Sequence, residues 1–513
     1  MNETSLNSQM PKKATLTSIN SDTVLTHEVS EEFSLPDYVP EVRRVLHTRA
    51  TALPEGKFIS DTGSNTSLEF DGTVTYSVVY TDDEGKLCST PLSSNYDGHT
   101  VLTGHPDTVF IDTSVESVVC RVTAKRRLVI KTRLKSRILS FVDSVIEENI
   151  NPRSLADEMY IERKMKKLNT VSLKSIFMQN IRMSEKFDLS GNNDLAPIMC
   201  DAQMIITECK AHTGSVAVRG HVNVQCICSN GDKEITVSKS LPVYEELEAE
   251  GAVPTDLVRC LGRCVSLSIS NEQNNDTSSL FFDVTCEIEG EFYRNEENFV
   301  TGDCYSTKYE TQTSYKTIDT HSVVLAKNTS FSVNDKFKRK DSSIESIVYV
   351  ICDISNEKTE YKNGKLSLLG KINASVIGKS KEDNDSCREY VSELYEIPFR
   401  YDMGCEGGDI TARVNYAMSL TNASYENDKF CISAEMYPSI SVFAKSPVSI
   451  LDSALIKRDA EFKKDASCVR VFFPKDCDIL WEVAKKFHTT ERKIVEDNSL
   501  SSYSLENVKS III

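Results

Sequence analysis

The sequence predicts a mainly β protein in which tandem β-sandwich-like repeats precede a small βααβ module. The first observation is an internal repeat of domain size, because β-type runs that contain glycine recur at nearly constant intervals. Their glycines are Gly72, Gly220 and Gly370, which lie 148 and 150 residues apart. The second is the alternation of apolar and polar residues within these runs, as between Val74 and Tyr80, which is typical of half-buried strands. The third is a C-terminal segment with two helical patterns between two β-type runs.

The repeats and the segments between them divide the chain into seven parts. In chain order, we predict a flexible N-terminal segment (1–29), a first β-rich repeat (30–150), a helical linker (151–170), a second β-rich repeat (171–315), a third (316–455), a second linker (456–468) and the terminal module (469–513). In the helical linker, Ser154 and Asp157 have the spacing of a capping box at the start of a helical pattern over 154–168.

The terminal module begins with a β-type run at 469–473 and ends with another at 509–513. Between them, the apolar residues of 480–487 have helical spacing, and Asp478 stands where a helix N-cap is expected. The two threonines at 489–490 can open a second helix. The segment therefore predicts a βααβ unit.

Composition and charge exclude several classes of protein. The net charge of −17 argues against nonspecific nucleic-acid binding as the main role. No apolar run approaches the roughly 18 residues of a membrane-spanning helix. The polar start of the chain, Met1–Lys13, has no export signal, so we expect the protein to stay in the compartment where it is made. We interpret the sixteen scattered cysteines as reduced thiols that fill strand cores.

Sequence motifs for catalysis are missing. The GKS at 378–380 has Asn373 where a Walker A loop needs its first glycine, and neither HExxH nor GxSxG occurs. We therefore predict a protein that is not an enzyme and has no cofactor. His221, Cys226 and Cys228 could contribute to a zinc site, but the two thiols would project from one face of a strand, as core residues do. We expect no metal.

One strand-like segment, 125–138, carries an unusual concentration of positive charge. Its basic residues alternate with apolar ones, so that one face of the strand is basic and the other apolar. The basic residues are Arg127, Lys131, Arg133, Lys135 and Arg137. Two interpretations stay open: a face neutralised inside an acidic protein, and a binding site for an acidic protein or an anionic membrane surface.

The terminal module resembles a LysM domain. The likeness consists of the aromatic-rich strand VRVFF, the DILW and VAKKF segments, the two threonines, a Lys-Ile pair and the ending DNSL. LysM domains bind N-acetylglucosamine polymers through the loops before the first helix and after the second. In this chain Cys477 replaces the usual glycine, which restricts the backbone and the close approach of a sugar. Ile479 replaces the usual threonine, which removes a hydroxyl that could hydrogen-bond a sugar. This difference disfavours glycan binding and favours a protein partner.

The resemblance places a partner-binding surface on the terminal module. Its candidate residues are Cys477, Asp478, Ile479, Trp481, Lys485, Asn498, Leu500 and Ser502.

The acidic β repeats ahead of this module resemble the SPOCS–LysM proteins of endospore-forming Clostridia, over about 30–513. The resemblance implies a non-enzymatic scaffold or adaptor in spore coat assembly, located in the mother-cell cytoplasm at the forespore surface. It implies that the terminal module docks onto a coat-basement morphogenetic ATPase and that other coat proteins are candidate partners of the repeats. The alternative is a protein that binds peptidoglycan or N-acetylglucosamine in the spore cortex or cell envelope.

Overall fold

Strands account for most of the chain, as the sequence predicts. The computed structural model describes residues 14–61, 63–146, 160–188, 196–229, 234–274, 277–340, 344–380, 389–462, 469–475 and 478–513. Within these ranges, 21 strands and two short helices occur, and the strands form several separate sheets.

Repeat one comprises six antiparallel strands in two three-stranded arrangements. They are β1 (Ala14–Ser34), β2 (Arg44–Asp61), β3 (Asn65–Thr81), β4 (Leu87–Thr103), β5 (Thr108–Ala124) and β6 (Arg127–Ile146). One, with the order β1-β6-β5, is half of a six-stranded sheet, and the other is a separate sheet with the order β2-β3-β4. Apolar side chains of both sheets share one core, which includes Val74, Val78, Leu128 and Leu134.

Repeats two and three have the same topology. The strands of repeat two are β7 (Ile161–Asp188), β8 (Ala196–Ala211), β9 (Ser215–Ser229), β10 (Glu234–Glu248), β11 (Leu257–Asn274) and β12 (Thr277–Ser306). Those of repeat three are β13 (Tyr309–Asn328), β14 (Phe331–Lys338), β15 (Ile344–Lys362), β16 (Lys365–Ser380), β17 (Tyr390–Gly404), β18 (Asp409–Glu426) and β19 (Lys429–Glu461). Here β13 and β14 together occupy the place of β1, because both pair with β19.

The three repeats converge, so that equivalent residues meet at their centre. Phe141, Tyr293 and Phe443, which are spaced 152 and 150 residues apart, are all buried there. The ring of Phe443 lies 5.2 Å from that of Phe141 and 5.3 Å from that of Tyr293, in edge-to-face contacts. The long sheets of repeats one and two also join, where Thr17 pairs with Val171. The arrangement has approximate threefold symmetry.

A second set of equivalent residues forms an ionic contact between the repeats. Arg49, Asp201 and Asp353 are each 152 residues apart and come from β2, β8 and β15. Arg49 pairs with Asp201, and its Nε lies 3.0 Å from Oδ1 of Asp353. Nearby, burial and Arg49 lower the pKa of His47 to about 4, so its imidazole is neutral although Asp353 lies 3.7 Å away. The three repeats are thus joined by charge as well as by apolar packing.

A buried network of charges lies between the repeats as well. Nη1 of Arg259 donates to Glu291 at 2.7 Å, and Arg413 pairs with both Glu291 and Asp112. The guanidinium of Arg413 also lies over the ring of Phe110 at 4.3 Å. Burial raises the pKa of Asp112, but Arg413 and Arg259 outweigh it and hold that pKa well below its usual range.

Two segments that the sequence assigned differently are strands. Residues 14–29, predicted to be flexible, lie in β1 and pair along β6, so the partner strand supplies the order that their polar sequence does not indicate. Residues 161–170 of the predicted helical linker begin β7, where Ile161 to Thr170 pair with β12 from Ser306 to Glu296. Pairing with a long neighbouring strand overrides the local helical pattern. The start of that pattern, 151–159, lies outside the described residues.

The terminal module has the predicted βααβ order. Its elements are β20 (Val471–Phe472), α1 (Leu480–Lys486), α2 (Glu491–Asp497) and β21 (Ile511–Ile512), and the two strands are antiparallel. Thr490 caps α2 as expected, since its hydroxyl accepts from the backbone N–H of Lys493 at 3.0 Å. The prediction that Asp478 caps α1 is wrong. The N-cap is Ile479, and the carboxylate of Asp478 accepts instead from the N–H of Lys475 at 2.8 Å.

Candidate functional site

The terminal module packs against the end of repeat two through its single tryptophan. Trp481 is 3% exposed and belongs to one apolar cluster with Leu480, Ile494, Ile511 and Tyr305. Tyr305 lies on β12, and its ring meets that of Trp481 edge-to-face at 4.9 Å. The core of the module is therefore completed by a residue of the neighbouring repeat.

Asp303, two residues before Tyr305, accepts hydrogen bonds from three side chains at this contact. Nε1 of Trp481 donates to its Oδ2 at 2.7 Å, Nζ of Lys485 lies 2.8 Å from each carboxylate oxygen, and the hydroxyl of Tyr315 donates at 2.6 Å. Burial raises the pKa of Asp303, but the donors outweigh burial and hold that pKa below its ordinary value. The same carboxylate raises the pKa of Lys485 against the opposing effect of burial. Both groups are charged at neutral pH.

Two further contacts extend this docking face, which we define as Trp481, Lys485, His488 and Thr489. The hydroxyl of Tyr305 donates to the carbonyl of Thr489 at 2.7 Å. The ring of His488 stacks on Phe462, which follows β19, at 3.5 Å. The module is thus held in one orientation by apolar, ionic and backbone contacts.

The predicted partner-binding residues separate into three groups. Trp481 and Lys485 lie in the docking face. Asn498 and Leu500 support the module itself: Nδ2 of Asn498 donates to the carbonyl of Ile512 at 2.7 Å, and the half-buried Leu500 packs on the apolar cluster. Ile479 and Ser502 are exposed.

The remaining two predicted residues lie before α1. Asp478 is half-buried and holds the loop at Lys475, whereas Cys477 lies outside the described residues.

Exposed apolar side chains lie on the two-stranded sheet of the module and between β20 and α1. Val471 and Ile512 are opposite each other in register, and each is about half exposed. Phe473, directly after β20, is 69% exposed, and Ile479, directly before α1, is 55% exposed. We call Val471, Phe473, Ile479 and Ile512 the exposed apolar face. Of these, only Ile479 was predicted, although the alternation in VRVFF could have identified Val471 and Phe473.

The basic strand is largely neutralised within repeat one. Its apolar face is buried as predicted, since Leu128, Ile130, Leu134 and Ile138 are inaccessible. On the other face, Arg127, Arg133 and Arg137 pair with acidic residues of β1, namely Glu32 at 3.8 Å, Glu28 at 2.9 Å and Asp22 at 2.6 Å.

The two lysines of this strand lie apart from those pairs. Lys131 is exposed, and Lys135, with Arg137, lines a groove of about 630 Å³ between repeats one and three. Two of the three acidic partners, Asp22 and Glu28, come from the segment that the sequence assigned as flexible, so the local sequence could not predict their part in the neutralisation.

The described residues include no cluster of histidine, cysteine and acidic side chains suited to a metal ion. Cys226 and Cys228 are inaccessible, with their sulfur atoms 3.6 Å apart in the core of repeat two. His221 packs against Tyr437 with ring centroids 5.9 Å apart, and burial lowers its pKa.

Neither of the two described helices has the length and apolar character needed to cross a membrane. Comparison of the chain with models of protein families, with curated proteins and with solved structures finds no significant match.

Proposed function

We propose that this chain is a non-enzymatic scaffold of the endospore coat, and that its terminal module docks onto a coat-basement morphogenetic ATPase at the forespore surface. The proposal rests on the LysM-like segments of the module and on the acidic β repeats that precede it. It places the chain in the mother-cell cytoplasm, where that ATPase would assemble on the forespore.

The exposed apolar face is the observation that carries this proposal. Val471, Phe473, Ile479 and Ile512 present aliphatic and aromatic groups to solvent on a module of some 45 residues. Such groups gain free energy when a protein partner covers them, at roughly 25 cal/mol per Å² of apolar surface. Sugar recognition would instead use polar groups placed for hydrogen bonds. The position of Ile479, where LysM domains have a threonine, favours a protein over a glycan.

The docking face explains how such a module would serve as an adaptor. Trp481 and Lys485 contact Asp303 and Tyr305. The side of α1 that carries Trp481 and Lys485 therefore faces repeat two. The exposed apolar face contributes none of the docking contacts described above. A partner bound there would be held in a defined orientation relative to the three repeats, which are themselves available to other coat proteins.

The test is direct binding of the full chain to the purified coat-basement ATPase. We expect Phe473→Asp and Ile479→Asp each to weaken binding by about tenfold or more, as loss of a buried apolar anchor does. Ser501→Asp, an equal charge change at an exposed polar position outside the predicted partner-binding residues, is the matched control and should leave binding within about twofold. Fluorescence of Trp481 shows whether each variant keeps the module folded.

A chain that ends before residue 469 should lose binding altogether. Equal binding by this truncated chain and the full chain would overturn the proposal. Saturable binding of the full chain to chitin or purified peptidoglycan would instead support the glycan-binding alternative.

A further inference from the structure

Repeat two is unusually rich in cysteine. Eight of the sixteen cysteines of the chain lie between residues 171 and 315. Four of them form two directly opposed cross-strand pairs: Cys200 of β8 faces Cys226 of β9, and Cys264 of β11 faces Cys286 of β12. Both pairs contribute to the same apolar core.

The register of these pairs suits disulfide formation. Directly opposed residues of antiparallel strands have Cα atoms about 4.5–5.5 Å apart, within the range of about 4.4–6.8 Å that a disulfide spans. The sulfur atoms of Cys200 and Cys226 are in contact at 2.7 Å. A bond between them would therefore form by side-chain rotation, without displacement of the backbone.

Each pair combines an accessible thiol with a buried one. Cys200 and Cys264 are half-buried, whereas Cys226 and Cys286 are essentially inaccessible. A β-bulge follows Cys264 and leaves Val265 half exposed, which opens the strand at this position. A hydrogen bond from Cys286 lowers the pKa of Cys264, and the same contact raises that of Cys286. In the second pair, an accessible thiol with thiolate character thus lies beside another cysteine, which is the arrangement found at redox-sensitive sites.

We propose that Cys200–Cys226 and Cys264–Cys286 are two oxidation sites, each of which closes reversibly to a disulfide by exchange with a small disulfide of the glutathione class. The thiolate of the accessible cysteine attacks one sulfur of the small disulfide, which forms a mixed disulfide and releases one small thiolate. The buried cysteine then loses its proton and attacks the mixed disulfide at the protein sulfur, which releases the second small thiolate. The protein dithiol is oxidised and the small disulfide is reduced to two thiols, so electrons and protons balance.

Closure would link each central strand of repeat two to a neighbour. β9 would be joined to β8, and β12 to β11, so both sheets of the sandwich would be covalently tied. Since β12 also carries Asp303 and Tyr305, the strand that holds the terminal module would be one of those fixed. Oxidation would thus stabilise the part of the scaffold against which the module docks.

The test is peptide mapping of the native full chain after incubation with oxidised glutathione. Remaining thiols are blocked with N-ethylmaleimide in denaturant, the chain is digested without reductant, and cross-linked peptides are identified by mass spectrometry. We expect the 200–226 and 264–286 cross-links, each reversed by dithiothreitol. Cys200→Ser and Cys264→Ser should each remove one cross-link and leave the other.

Cys228 and Cys352 are the matched controls. Cys228 is buried beside Cys226 on the same strand, and the partly buried Cys352 packs against the core of repeat three, yet neither has a cysteine opposite it in register. Both should remain fully alkylated. Recovery of Cys200 and Cys264 as free thiols or as stable glutathione adducts would overturn the proposal, as would cross-links that involve Cys228 as often as Cys200. Because the wild-type map alone decides between these results, a variant that fails to fold does not block the test.

Discussion

The contact between Asp303 and the terminal module predicts that Asp303→Asn loosens that module. The substitution keeps the shape of the side chain but removes its charge, so Lys485 loses its ionic partner and faces an amide that can also donate. The side chain of Asp303 is 12% exposed and that of Lys485 is 30% exposed, so the pair lies between a buried and a surface ion pair. Breaking a buried pair costs about 3–5 kcal/mol and an exposed pair about 0–1 kcal/mol, so we expect a loss of about 2–3 kcal/mol.

The assay uses Trp481, the only tryptophan in the chain, which lies at this contact. Its fluorescence is followed during urea unfolding of the full chain. With a slope of roughly 1–2 kcal/mol per molar urea for a small unit, the expected loss lowers the midpoint by about 1–3 M. The tryptophan emission of the native variant should also shift to the red, because the indole N–H loses a charged acceptor and gains solvent.

Asp497→Asn provides the matched control. Asp497 is an exposed acid near the end of α2, so the same chemical change there should alter stability by less than about 0.5 kcal/mol. A midpoint for Asp303→Asn equal to that of Asp497→Asn would refute the argument that Asp303 holds the module on repeat two.

Three other perturbations test the contacts between the repeats. The pKa of His47 is lowered from 6.5 to about 4, so between these pH values its side chain is neutral in the folded protein but protonated in the unfolded protein. The contribution of His47 to the free energy of unfolding should therefore be complete above about pH 6.5, and stability should fall by up to roughly 3 kcal/mol as the pH drops to about 4. Thermal unfolding of wild type and His47→Gln as a function of pH checks this, and an equal pH dependence of the two proteins would count against it. Arg413→Met leaves Asp112 without its paired cation and Glu291 with Arg259 alone, so it should cost about 3–5 kcal/mol in thermal unfolding, and a cost below about 1 kcal/mol would contradict the buried network. Arg133→Glu creates repulsion with an acid of β1 but at an exposed pair, so the loss of stability should be small and should shrink in high salt, whereas Lys131→Glu should cost less still. Equal losses at low salt would argue against the pairing of Arg133.

Features with a regular local pattern could be predicted from the sequence. The alternation in β3 and β6 and the two helical patterns of the terminal module identified those elements, because side-chain periodicity follows directly from backbone geometry. Residues 14–29 and 161–170 could not be assigned this way. Their order comes from β6 and β12, which lie more than a hundred residues further along the chain.

The candidate site was predicted only in part for the same reason. Trp481 and Lys485 were identified from the LysM-like segments, but as residues that face a partner. Their actual neighbour, Asp303, is a single acid at the end of a long strand, and its position next to Trp481 depends on contacts across 178 residues of sequence. No local signal distinguishes it from the many other acids of the chain. The exposed apolar face, in contrast, has a signal in the alternation of its strand.

The ionic contact of Arg49 with Asp201 and Asp353 depends on the three repeats being parts of one chain. In a ring of three identical polypeptides, each residue next to the threefold axis occurs there three times. An arginine at such a position would place three mutually repelling cations together, and an aspartate would place three anions together. Joining the copies in tandem removes this restriction, since each copy can carry a different side chain at the shared position. Attraction between unlike charges can then stabilise the contact between the three repeats. The repeats are no longer interchangeable, because exchanging repeat one with repeat two or three would require different residues at this contact.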